Sequence, residues 1–533
     1  MSASRQGLAL ALLAFAGFWA GSWQLPLFDL DEGAFSQATL EMLASGNYLT
    51  TTLDGAPRYD KPMLSYWLQG LSVSLLGVNE FAFRLPSMLC ASLWMWLLFD
   101  FVRRRAAAPQ APWLAAGSLA LSLMPGVIGH AATADALLNL LIAACLLDIW
   151  RYFELREQGG SPSRARRLVW RVYLWMGLGV LAKGPVAVVI PLAASLVFAL
   201  GAGRGRDWLQ AACDWRGWLV ALGVVLPWGV ACWLADDGEF IRRFLLDHNL
   251  DRYQNTLQDH GGRLWYYLVA LPLIVAPFTA LLPAALWRGL AGDALDRYCL
   301  IGFCVVLLIF SFSRTQLPHY LLYGATPLLV LFGRNATRLP AKPWLLAPAV
   351  VLLLLFTALP WLLERVETRP QRAWEAGILG EALAAFDWRY SLLCALALAA
   401  LAGSARLRPV PALLGAAGAL SLVTWLGVVP VLAQAQQAPT REAARIARAL
   451  QRPAVSYATD LPTFSVYRGA PTPRRLPEPG ELVFLRADKL PKLRAALDAE
   501  RLQPIYRRGG VALLQYGEPP PAGTDHLALD QRP

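Results

Sequence analysis

The stretch Asp31–Tyr66, DEGAFSQATLEMLASGNYLTTTLDGAPRYDKPMLSY, decides how this chain is read. It follows an apolar run, Leu8–Trp23 behind Arg5, that belongs to a segment long enough to cross a bilayer. More apolar runs come after it, so the first run reads as a retained helix rather than a removed leader. Asp31, Glu32, Glu41, Asp60 and Lys61 then crowd into one connection. A membrane protein needs no such density of charge merely to turn around. Two carboxylates just outside the hydrocarbon, followed by a lysine beside another carboxylate, suit an anionic, lipid-linked substrate.

Outward from this loop, the chain is 56% hydrophobic and only 16% charged over 533 residues, too apolar for a soluble protein of this size. Apolar runs predict helices near 7–26, 83–102, 112–130, 135–153, 172–183, 185–200, 217–234, 264–287, 298–312, 320–333, 343–363, 389–404 and 410–432. These make roughly 13 spans of an α-helical polytopic membrane protein. The two short runs meet at Gly184-Pro185 and could form one bent helix. The net charge of +11 comes from arginines in short clusters between apolar runs. That pattern is the positive-inside bias, not a basic face for nucleic acid. The seven cysteines are scattered without a CxxC and read as small buried hydrophobes.

With Arg5 cytoplasmic, every alternate connection is basic: Arg103–Arg105, then Arg164, Arg166 and Arg167, then Arg204 and Arg206, Arg288, Arg334 and Arg338, and Arg406 and Arg408. The opposite face receives 27–82, the turns at Asp135 and Lys183, the loops 235–263 and 364–388, the turn 313–319, and everything after about 433. The chemistry is expected on that shared face. The chain divides into a membrane domain at 1–435, a small α/β domain at 436–516 and a disordered tail at 517–533. Within the second part, Thr440–Gln451 and Lys489–Leu502 read as helices. Ala454–Ala458, Thr463–Tyr467, Leu482–Leu485 and Gly510–Tyr516 read as strands.

The candidate residues each have a bland reading and a functional one. Asp31 and Glu32 can cap the next helix, or act on and orient a substrate. Pro62 suits the first turn of a helix through Tyr66 and Trp67, which puts Lys61 at a helix N-terminus where a phosphate is favoured. Lys61 could equally pair with Asp60 or snorkel. Asp135 opens a span as a cap or as a functional intramembrane acid, and Lys183 either holds an anionic headgroup or snorkels. His248, Asp251, Asp259 and His260 lie in one loop, compatible with a divalent cation but without a zinc spacing. Arg314, His319 and Tyr320 come from SRTQLPHY, where Arg314 could grip a phosphate in two-pronged fashion and Tyr320 could donate to it. Arg263, at the end of the same histidine-rich loop, is a further candidate for the donor phosphate.

Taken together, DEGAFSQATLEMLASGNYLT, YDKPMLSYW, ATADALLN, LAKGPVAVVIP, LPWGVA, DHGGRLWYY and SRTQLPHYLL resemble, in order and spacing, the bacterial aminoarabinose transferases of lipid A and the wider protein O-mannosyltransferase group. The resemblance covers about residues 7–335. It implies a GT-C glycosyltransferase fold with a periplasmic C-terminal domain in an inner membrane. By the same resemblance, Asp31 is the essential acid of the first loop and Lys61 holds the donor phosphate. Asp60 and His260 match metal-ligand positions, which implies one divalent metal (zinc, magnesium or manganese). Asp135, Lys183 and Tyr320 line the donor cavity. The chain departs from the aminoarabinose pattern at Ala34, where the family often has arginine, at Phe35 for tyrosine, and at Asp60 for glutamate.

The function this implies is inverting transfer of a sugar, 4-amino-4-deoxy-L-arabinose or a relative, from a polyprenyl monophosphate to lipid A or another periplasmic acceptor. Asp31, Lys61 and Asp135 are the expected catalytic residues. Glu32, Lys61, Lys183, Arg263, Arg314 and Tyr320 are the expected donor contacts. The partners are the donor, a lipid or glycan acceptor and membrane lipids, with the protein a monomer. The alternatives keep the donor but change the acceptor to polysaccharide, lipid or protein. A transporter or flippase for the lipid-linked sugar is the reading from another class.

Overall fold

The computed structural model describes residues 2–247, 263–366 and 373–517. Six of its helices are long and apolar enough to cross a membrane, or up to nine if each bent pair is one span. This is a multi-pass membrane protein. The expected runs at 83–102, 135–153, 217–234, 298–312, 343–363 and 410–432 become helices over Glu80–Arg103, Asp135–Glu157, Trp215–Asp236, Ala294–Ser311, Lys342–Leu363 and Pro409–Gln436.

Several runs that read as single spans are broken. The 112–130 run is two helices, Ala111–Ala120 and Leu123–His130, bent by 60°, and the 264–287 run bends by 114° between Tyr266–Ile274 and Phe278–Ala291. In the second, Pro272 and Pro277 remove backbone donors at the bend. The runs 172–183 and 185–200 are two helices, Pro162–Lys183 and Val186–Gly201, rather than one. Gly184 between them has φ +91°, and a Cβ there would lie 2.4 Å from the Phe244 ring. Only glycine supplies both that conformation and that space.

The loop after the first helix is structured throughout. Asp31–Ser45 is a helix ended by Gly46. Strands β1 (Thr51–Leu53) and β2 (Ala56–Arg58) form a hairpin, and the next helix runs Leu64–Leu76. Glu41 anchors the hairpin. It accepts from Gln37 Nε2 and the Asp54 amide, each at 2.8 Å, and from the Thr52 hydroxyl. Pro62 therefore precedes the helix by two residues, and Lys61 sits in a bend ahead of the helix rather than at its N-terminus.

The C-terminal part carries a four-stranded sheet in the order β3-β4-β6-β5, with β3 Ala454–Ser456, β4 Leu482–Arg486, β5 Leu502–Arg508 and β6 Val511–Tyr516. The β3–β4 pair is parallel and the other two are antiparallel. Thr463–Tyr467, expected as a strand, belongs instead to the helix Thr463–Arg468, which packs on Asp31–Ser45. The expected helix over Lys489–Leu502 stops at Ala496, and Leu502 starts β5 instead.

This small helix is wedged into the first loop. Thr463 donates its amide to Asp29 Oδ1 at 2.9 Å and its hydroxyl to Asp29 Oδ2. The Leu27 amide donates to the Tyr467 hydroxyl at 2.7 Å. Val466 is buried among Leu27, Val73, Ala82, Phe83 and Ala132. Gly33 permits the approach, because a Cβ there would meet the Thr463 amide nitrogen and Asp29 Oδ1 at 2.7 Å.

Candidate active site

The first turn of the Asp31–Ser45 helix carries two adjacent acids in opposite surroundings. Glu32 is buried. Its Oε1 accepts from Arg84 Nε and the Ala132 amide, and its Oε2 from Arg84 Nη2 and the Phe28 amide, all within 2.7–2.8 Å. Arg84 spends its remaining donors on the carbonyls of Leu25 at 2.6 Å, Pro26 at 2.7 Å and Ser22 at 3.2 Å. The pair staples the loop entry to the Glu80–Arg103 helix and to the turn at Ala132 before Asp135. Glu32 was expected among the donor contacts, but four protein donors already occupy both of its oxygens.

Asp31, one residue earlier, is exposed and makes no side-chain hydrogen bond or ion pair among the described residues. It lines a cleft of about 330 Å³ with Asp29, Glu32, Arg84, His130, Asp135 and His319, closed on one side by Trp425, Val429 and Leu432. His130 stacks on Trp425 with centroids 3.6 Å apart. The cleft thus has a charged wall and an apolar wall, as a site for a charged group on a lipid requires.

Asp135 is the buried centre of the charged wall. Its Oδ1 lies 2.5 Å from Lys183 Nζ, 3.2 Å from the Tyr323 hydroxyl and 3.7 Å from His319 Nε2, and its Oδ2 accepts from Thr133 at 3.3 Å. Lys183 ends its helix beside the Gly184 break, and its ammonium lies 5.6 Å from the Tyr320 ring and 5.8 Å from the Tyr323 ring. Burial pushes the His319 imidazole below its ordinary value, with Asp135 opposing. A neutral ring there can donate from one nitrogen and accept at the other.

A second group lies behind the cleft. Lys61 Nζ donates to Asp60 Oδ1 at 2.5 Å and to the Asp60 carbonyl at 3.0 Å. Asp60 Oδ2 accepts from Arg58 Nη2 at 2.9 Å. Arg58 in turn sits 5.3 Å over the Phe35 ring, which stacks on Tyr66. The trio carries one net positive charge in a largely buried setting. Lys61 acts electrostatically on Asp135 and His319, and Asp31 acts on His319 and Arg58, so the two groups share one field.

The fold therefore brings Asp31, Asp60, Lys61, Asp135, Lys183, His319 and Tyr320 to one side of the molecule. It does not bring Arg263 or Arg314 to the cleft. Both are exposed, and Arg263 lies over Trp265 at 5.5 Å. His248, Asp251, Asp259 and His260 lie outside the described residues. Among the described residues no three histidine, cysteine or acidic side chains group as a metal site. Asp60 is bonded to Arg58 and Lys61, and His260, its expected partner at the implied metal, lies outside the described residues.

Arg84, Arg58 and Tyr323 were missed in the sequence. Arg84 had a signal, an arginine inside the apolar run after Phe83. Tyr323 had one too, three residues after Tyr320 and so on the same helical face. Arg58 had none beyond nearness to Asp60.

A family model described as dolichyl-phosphate-mannose-protein mannosyltransferase matches residues 60–231. The undecaprenyl phosphate-alpha-4-amino-4-deoxy-L-arabinose arabinosyl transferase of Edwardsiella ictaluri is 29% identical over 323 residues, 59% of this chain and 56% of that protein. The Pseudomonas aeruginosa PAO1 protein of the same name is 29% identical over 341 residues, 62% of this chain and 59% of that one. The chain thus spans little more than half the length of these curated relatives. ArnT from Cupriavidus metallidurans bound to undecaprenyl phosphate superposes with a TM-score of 0.79 at 18% identity, covering 97% of this chain and all of that one. Its apo form gives 0.78. This chain therefore shares the GT-C fold of ArnT.

Proposed function

We propose that this protein transfers a sugar of the 4-amino-4-deoxy-L-arabinose type from undecaprenyl monophosphate to lipid A at the periplasmic face of the inner membrane. The observation that carries the reading is Asp31, a carboxylate without a side-chain partner among the described residues, on a cleft where Glu32, Arg84 and Asp135 are already engaged within the protein. An acid left without partners on an ordered wall is available to a substrate. The likeness to the arabinosyl transferases and to ArnT supports the donor.

In this mechanism the lipid tail lies along the apolar wall of Trp425, Val429 and Leu432. The sugar–phosphate bond breaks with its electrons passing to the phosphate, which needs no strong acid as a leaving group. The positive Arg58–Asp60–Lys61 trio and Lys183 stabilise the charge that builds there, the largest expected contribution. Asp135 positions Lys183. Asp31 orients the donor sugar when the acceptor is a lipid A phosphate, which is already anionic. It takes the acceptor proton when the acceptor is a hydroxyl. A single displacement inverts the anomeric centre. No step runs through a metal.

The test uses purified protein with radiolabelled undecaprenyl-phosphate aminoarabinose and lipid A, beside Asp31→Asn and Lys61→Ala. The parent should transfer label and both variants should be severely slowed. Equal turnover by all three would remove the site assignment. Label moved across a vesicle membrane without transfer would replace the reading with a flippase. Label on polysaccharide or protein would change the acceptor alone.

A further inference from the structure

The helix that begins at Asp135 carries a second charged groove at its far end. Arg151 is sixteen residues along the same helix, roughly 24 Å away at 1.5 Å per residue. The alternating arginine clusters put that end on the cytoplasmic side. Two facing stripes build the groove. Arg151, Glu154, Leu155 and Gln158 come from Asp135–Glu157 and the residue after it, and Arg164, Arg167, Leu168 and Arg171 come from Pro162–Lys183. Each stripe follows the i, i+3, i+4, i+7 spacing of one helical face. The short turn between the helices makes them antiparallel neighbours, and the space between the stripes is about 460 Å³.

The charges in this groove are deliberately unequal. Glu154 is taken by Arg105 from another helix, with Nε to Oε1 at 3.0 Å. Asp148, fully buried, is bound by Arg151 Nη1 at 2.8 Å, Arg171 Nε at 3.0 Å and Trp175 Nε1 at 3.0 Å. It fixes two guanidinium groups while engaging one nitrogen of each. Arg164 and Arg167 make no side-chain hydrogen bond or ion pair among the described residues. The groove therefore presents several guanidinium donors around a small space and has no unengaged acid of its own. Leu155 and Leu168 place apolar surface between the two polar rows.

We infer that this groove binds the phosphate of an anionic glycerophospholipid from the cytoplasmic leaflet. Guanidinium forks match phosphate oxygens two at a time. Basic residues at this depth are attracted to anionic lipid. The leucines give the first acyl carbons an apolar contact that a free phosphate would not use. This lipid site is separate from the cleft around Asp31 and does not depend on the transfer chemistry proposed for it.

Full-length protein reconstituted in vesicles of equal parts phosphatidylglycerol and phosphatidylcholine, then analysed by native mass spectrometry, tests the inference. The parent should retain phosphatidylglycerol in preference, and Arg164→Gln/Arg167→Gln should lose that excess by on the order of tenfold. Inorganic phosphate added before release should not displace the lipid. Equal retention by parent and double variant would overturn the site, and displacement by inorganic phosphate would overturn the lipid as its occupant. Where the glutamine pair fails to fold, Arg164→Lys/Arg167→Lys is the second variant. Retention should fall there too, because the forks are lost, and full retention would also overturn the proposal.

Discussion

The two walls that meet at the start of the Asp31–Ser45 helix use neighbouring acids in opposite ways. On the Glu32 side, one carboxylate and one guanidinium are buried together, and their polar atoms are bonded within the protein. On the Asp31 side, an acid of the same charge is exposed to the cleft with no partner among the described residues. Acidity and position in sequence do not separate structure from chemistry here. The supply of donors around each oxygen does. A saturated acid holds the fold, and an unsatisfied one on an ordered wall is free to hold a substrate.

The sharpest way to break this contrast is Arg84→Met, which leaves Glu32 buried without its counter-ion. It should cost about 3–5 kcal/mol of stability, read as a lower unfolding temperature in detergent. Adding Glu32→Gln to the same chain should recover part of the loss. Asp31→Asn is the complementary test. Unfolding should stay within about 0.5 kcal/mol of the parent, while turnover falls about a hundredfold. A variant that unfolds early would move Asp31 to the structural side of the contrast.

Two smaller effects sharpen the contrast at Asp29, which faces both the cleft and the C-terminal part. Thr463→Val removes a hydroxyl donor from a half-buried carboxyl group. It should cost about 1–2 kcal/mol and speed proteolytic release of the segment after Gln437. Burial raises the Asp29 carboxyl to about 7, with the Thr463 hydrogen bonds opposing. A raised acid favours the fold in its neutral form. Its contribution is complete below the unfolded value of about 3.9 and is lost as pH rises through about 7. Stability should therefore fall by about 1 kcal/mol between pH 6 and 8, and Asp29→Asn should flatten that slope.

Much of the architecture was legible because apolar length is a coarse signal that a bilayer enforces. The runs from 83–102 to 410–432 matched helices within a few residues at most ends. The bends at Leu121–Ser122 and Val275–Pro277 were hidden because the apolar composition continues through them. Lys61 read as a helix N-terminus because Pro62 suits a first turn, yet the helix after the β1–β2 hairpin starts only at Leu64. Thr463–Tyr467 has strand-like composition, and its burial against the first loop overrides that propensity. Asp31, Lys61, Asp135 and Lys183 stood out as charges at the edges of apolar runs. Which carboxylate is spent on Arg84 could not be read from one dimension, since Glu32 and its partner are 52 positions apart.

The wedge of Thr463–Arg468 in the first loop has a consequence for biosynthesis. The Asp29–Thr463 and Leu27–Tyr467 bonds join residues 434 and 440 positions apart. A ribosome makes the cleft's acidic rim long before the piece that holds its rear. Until the chain has emerged past Tyr467, Leu27 lacks its hydroxyl acceptor and Asp29 lacks its two donors. The rim must wait through the insertion of every intervening helix. Long-range closure of this kind is slow and leaves an intermediate exposed to proteases and misassembly, and it also delays completion of the cleft's rim until the helices between Leu27 and Tyr467 have inserted.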